Sequence, residues 1–118
     1  MSNELSVLDE LASLALDGWE WEVLDLVGDT LRLVGAVDLT YGWSIEIGFD
    51  GCSYVSLPTH FFHARFVNAT DHELETVTHE LGGDRPSVLI ALTTDGTPTR
   101  HLIAAERITI KREMTKRQ

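Results

Sequence analysis

The residues from Trp43 to Leu57 constrain the fold more than any other stretch, because two strand-like apolar runs meet there at Asp50-Gly51. Asp-Gly between alternating runs is the strongest short-range hairpin signal: a type I′ turn needs positive φ at both central residues, which Gly accepts freely and Asp better than most. A two-residue turn sets the register, with Phe49 opposite Cys52, Ile47 opposite Tyr54 and Ile45 opposite Ser56. One face then carries Trp43, Ile45, Ile47, Phe49, Cys52 and Tyr54, and the other Ser44, Glu46, Gly48, Ser53, Val55 and Leu57. This ribbon is expected at the centre of an antiparallel sheet with one buried face.

The remaining segments arrange themselves around it. Leu5, Leu8, Leu11, Ala12 and Ala15 fall at helical spacing, so residues 3–16 predict an amphipathic helix that Asp17-Gly18 ends. Trp19, Trp21 and Val23 alternate with Glu20 and Glu22, which predicts a strand with aromatics on one side and acids on the other. Leu24 and Leu26 break that phase, and a bulge near Val23-Leu24 would restore it. Gly28-Asp29 then turns the chain into a return strand, 30–34. Residues 60–66, rich in His and Phe, fit a short edge strand or an aromatic-packed turn. Thr70 and Glu73 form a capping box that opens a helix running to about Leu81, burying Leu74, Val77, Thr78 and Leu81 before Gly82-Gly83 stops it. The apolar run 87–93 suits a strand covered on both faces, and residues 99–112 supply one long strand or two, with a bend expected at Ala104-Ala105. The expectation is a single α+β domain over residues 1–118. It has a mostly antiparallel sheet of about six to seven strands, two helices (N-terminal and central), and a frayed tail at 113–118.

Charge is distributed unevenly. Of a net −10, residues 1–50 account for all: eleven acids face one base, Arg32, whereas residues 51–118 hold eight of each. Such a field repels nucleic acid and attracts a basic protein. No apolar run is long enough to cross a membrane, no basic-then-apolar leader opens the chain, and the single Cys52 fits a reducing compartment, so a cytoplasmic location is expected.

No catalytic motif is present. His60 and His63 share a side only if their segment turns, and His72 and His79 lie two helical turns apart, too far to share one ion without a third element. The density of histidines between residues 60 and 79 nevertheless makes a small metal-assisted hydrolase using His60, His63 and His72 or His79 the alternative reading; no cofactor or metal is expected. Cys52 beside Phe49 reads as a buried structural thiol rather than a nucleophile. The acids Asp17, Glu20, Glu22, Asp25 and Asp29, on the exposed side of the first strands with Trp19 or Trp21 at the margin, form the expected partner-binding set. A homodimer pairing through a free sheet edge is a third possibility.

In size, acidity, single-domain plan and mixture of helix and sheet, the chain resembles the small immunity proteins that bacteria keep in the cytoplasm to neutralise their own secreted toxins, many of them basic nucleases. That likeness spans the whole chain and carries over no individual residue. It implies a non-catalytic protein that occludes a basic toxin or other basic partner.

Overall fold

The computed structural model describes residues 19–94, 98–112 and 115–116. The helix expected at 3–16 and the acid Asp17 lie outside them. The first hairpin forms as its sequence dictates. Strands β1 (Glu20–Val27) and β2 (Thr30–Ala36) pair antiparallel across Gly28-Asp29, with Gly28 at φ +63. The register slips between Val23 and Asp25, which is the bulge that the misplaced Leu24 required.

The short β3 (Gly42–Trp43) precedes β4 (Ile45–Asp50), whose Ile45, Ile47 and Phe49 are all buried. The expected central ribbon does not form, however. β4 pairs with β2 and with β10 (Arg107–Lys111), while β5 (Tyr54–Ser56) pairs with β9 (Arg100–Ala105) in another sheet. Between them Gly51 turns at φ +65. The backbone is fastened there by Cys52 N–H to the Asp29 carbonyl (2.7 Å) and Ser53 N–H to the Ala104 carbonyl (2.9 Å). Phe49 and Cys52 are thus not cross-strand partners; Asp50-Gly51 is a corner at which one strand leaves one sheet for the next.

Two further corners work alike. β6 (His60–Phe62) passes into β7 (Arg65–Asn68) through His63, a non-glycine at φ +54, and this bend lets Phe61 and Phe66 enter one core. β9 passes into β10 at Glu106, just beyond the predicted alanine pair, where Glu106 N–H bonds the Asp50 carbonyl (2.9 Å).

Among the described residues the fold is therefore two main antiparallel sheets, ordered β10-β4-β2-β1-β6 and β5-β9-β8-β7, where β8 spans Val88–Thr93, with a separate two-stranded pairing at β3. This replaces the expected single sheet of six to seven strands with two helices. Among the described residues there is one helix, α1 (Asp71–Glu80). The physical reason is closure: three strands bend at Gly51, His63 and Glu106, so the chain forms two packed layers joined at their corners. Trp21, Leu33, Ile47 and Phe49 of one layer meet Phe66, Ile90, Leu92 and Ile103 of the other in one core.

The tail also differs from expectation at Thr115–Lys116, which pairs with β3 as β11. Helix α1 begins with the predicted capping box, Glu73 N–H to Thr70 Oγ1 (3.1 Å) and Thr70 N–H to Glu73 Oε1 (2.8 Å), and buries Val77 fully. Arg100 of β9 grips the Glu73 carboxylate through Nε and Nη2 (2.7 and 2.9 Å), while Leu81 shares a cleft with Ser53 and Ala105. The helix, about 15 Å long, is thus tied to β9 at its first turn, and the chain just past its end lies beside β5 and the end of β9.

Candidate functional site

Alternation along β1 decides which side chains reach solvent. Trp21 is 1% exposed and packs edge-on to Phe66, ring centroids 5.4 Å apart, with Trp19 6.3 Å away. Both indoles belong to the core and its rim, which removes them as anchors at the margin of an acidic face. Glu20 and Glu22 point the other way, and the bulge carries Asp25 to a position opposite Arg32 on the same outward side. Three of the five predicted binding acids thus share one sheet face. Asp29 is exposed at the hairpin tip, and Asp17 lies outside the described residues.

The register makes this face a charge ladder rather than a bare acidic patch. One row reads Lys111, Glu46, Val34, Glu22, His60 across β10, β4, β2, β1 and β6. Arg32 clasps Asp25 with both arms of its guanidinium, Nε to Oδ1 at 2.9 Å and Nη2 to Oδ2, and Nη1 lies 3.8 Å from Glu46. This partner holds the Asp25 carboxyl below its ordinary range and raises the guanidinium above its own. Glu20 is tied more firmly: Oε1 accepts the Leu39 N–H at 2.8 Å and Oε2 meets His60 Nε2. Its carboxyl is held below the usual value first by the Leu39 amide and then by His60. Glu20 and Asp25 therefore fasten the fold locally, and the acid most open to a partner is Asp29.

At the middle of the face lies a second apolar cluster: Val34, Ala36 and Leu39, with Leu24 and Trp43 against it. Trp43 joins this cluster instead of the Ile45 face because the chain bends at Ser44, whose N–H donates to the Gly35 carbonyl (3.0 Å). The connection 37–41 folds over the outward side, pinned by Leu39. Solvent reaches Leu26 (52%) and Val27 (70%) at the hairpin tip, Val37 (72%) and Tyr41 (79%) on the connection, and Phe62 (40%) at the sheet edge. Charge counting missed these residues; the signal for them was apolar and aromatic side chains beside turn positions, at Gly28-Asp29 and in the segment before Gly42.

The other candidates separate in space. His60 sits on the five-stranded sheet, His63 at a corner, and His72 and His79 on α1. Among the described residues no three His, Cys, Asp or Glu side chains converge as a metal site. Cys52 is partly buried against the core, with Sγ 3.7 Å from the Tyr54 carbonyl, and burial pushes its thiol up, the opposite of activation. No described helix is long and apolar enough to cross a membrane. Comparison with protein-family models, characterised proteins and solved structures found no match.

Proposed function

We propose that the chain is a non-catalytic protein-binding module that occludes a basic partner, a toxin domain of the kind immunity proteins neutralise, against the outward side of β1 and β2. The observation that carries this reading is the hairpin tip, where Val27 (70% exposed) stands on the outward side opposite Thr30, Leu26 (52%) stands on the opposite side in line with Leu31, and the exposed carboxylate of Asp29 lies beside them. Covering the two side chains by a partner that closes over the tip from both sides is worth about 1–2 kcal/mol per side chain. The acid surplus of residues 1–50 supplies steering, which raises the association rate for a basic surface and weakens with salt.

The test is titration calorimetry of the purified chain against the protein encoded beside its gene, at 50 and 500 mM salt. The expected result is binding that weakens at the higher salt and loses at least tenfold in affinity in the Leu26→Ser/Val27→Ser variant. No binding, or binding indifferent to salt, refutes the reading.

A further inference from the structure

The segment 37–41 is built to hold still while presenting two side chains outward. Leu39, only 3% exposed, plugs into the cluster of Val34 and Ala36, and its N–H is held by Glu20 Oε1. One residue on, Thr40 N–H donates to Asp38 Oδ1 at 2.9 Å, an Asx turn that fixes the backbone between them. Val37 and Tyr41 stand on either side of this anchor. Phe62 lies close by, because Glu20 sits between Ala36 and Phe62 in the ladder, two strand spacings or about 10 Å across. Tyrosine in such a setting offers a large contact area with little conformational freedom to lose, and its backbone is already ordered.

The charged positions around it are of both signs, since Glu20 is paired with His60 and β11 sets Lys116 opposite Gly42, next to Tyr41, but the acids of residues 1–50 outnumber the bases eleven to one. Asp38 is exposed, and its carboxyl is held below the ordinary range by Thr40. Glu20 and Glu22 lie on the adjoining strand, and Arg32 is committed to Asp25 and Glu46. A second copy of this chain would bring a further net −10, so a basic protein is the better occupant.

We propose that the loop 37–41 is the docking anchor of the outward face, receiving an arginine or lysine side chain of the partner over the ring of Tyr41 and beside the carboxylate of Asp38. This rests on the reading of the chain as a binder of a basic protein, and it locates the aromatic contact that the core position of Trp19 and Trp21 leaves to another residue. An aromatic face stacked under a cation and flanked by a carboxylate is a specific recognition unit for arginine above all. The hairpin tip stands at the other end of β2, roughly 20 Å away, and an interface of ordinary size, about 800 Å² per partner, spans both.

The test measures association and dissociation rates of the chain and its variants with the protein encoded beside its gene. Tyr41→Ala is expected to raise Kd at least tenfold, chiefly through faster dissociation, whereas Tyr41→Phe, which keeps the ring, stays within threefold of wild type. Asp38→Asn is expected to slow association and flatten its salt dependence. Tyr41 is an exposed side chain, so the variant should keep the slow amide exchange of Leu39; loss of that protection together with binding would make Tyr41 a scaffold residue and overturn the anchor. Tyr41→Ala within twofold of wild type, with the Leu26→Ser/Val27→Ser variant inactive, overturns the anchor while the basic-partner reading stands. Failure of the wild-type chain to bind removes both.

Discussion

Gly35→Ala is the sharpest test of how the two sheets are packed. Gly35 faces Trp21 across the β1–β2 ladder, and a methyl group there would lie 2.7 Å from both Cε3 and Cζ3 of the indole. Ordinary contact needs at least 3.4 Å, so the ring must move by about 0.7 Å. It has nowhere to go: Trp21 is 1% exposed and wedged against Phe66 and Trp19. Overpacking of this kind costs about 1–3 kcal/mol. Gly35 is not among the positive-φ residues, so alanine suits the backbone and returns about 0.4–1 kcal/mol through the unfolded chain. The net expectation is destabilisation by about 1–2 kcal/mol. For 118 residues that lowers Tm by roughly 4–8 °C. Urea unfolding followed by tryptophan fluorescence and far-UV circular dichroism reads the effect. Adding Trp21→Phe, which vacates the contested space, should cost less than the sum of the two single changes. A Gly35→Ala protein as stable as wild type, with unchanged m, would refute the packing of β1 on β2 described above.

Two further outcomes follow from the ion pairs. Arg100 and the capping-box contacts hold the Glu73 carboxyl at about 2, below its unfolded 4.5. Their contribution is therefore present above pH 4.5 and lost as pH falls towards 2. Wild type should exceed Glu73→Gln in stability by about 1 kcal/mol near neutrality, a modest figure because Arg100 is over a third exposed, and the gap should close on acidification; a pH-independent gap in urea midpoints refutes it. Glu20→Ala should speed hydrogen exchange at the Leu39 amide at least tenfold while the β2 amides stay protected, and unchanged exchange would show that Glu20 does not hold the loop.

What could be read from the sequence was whatever depends on near neighbours. The β1 phase, its bulge, the Gly28-Asp29 turn, the Thr70–Glu73 capping box and the doubly covered β8 all rest on side chains within a few residues of one another, and the structure has each of them. The binding acids were only partly legible. Periodicity put Glu20 and Glu22 on the solvent side, but whether a carboxylate is free depends on groups distant in the chain: His60, forty positions away from Glu20, and the Leu39 amide at nineteen. Nothing local announces those partners. The solvent-facing Val37 and Tyr41 escaped for the converse reason, since a loop without periodicity gives no sign of which residue, here Leu39, is its plug.

The misreading of Asp50-Gly51 follows from the same separation of scales. A left-handed glycine permits a sharp change of direction, and the dipeptide does not specify whether the chain then folds back or turns a corner. The choice was made elsewhere. The flanks of β4 were already taken by β2 and β10, and the Cys52 and Ser53 amides found carbonyls on Asp29 and Ala104, so the chain after Gly51 had no free edge of β4 to return to. The buried face of β4 survived the change of partner because side-chain alternation belongs to the strand and not to its neighbour. For function, this closure leaves the outward side of β1 and β2 as a firm platform. Its charges are largely balanced in place, so steering by the surplus carboxylates and holding by Tyr41, Leu26 and Val27 fall to different residues, and substitutions can separate them as changes in association and in dissociation.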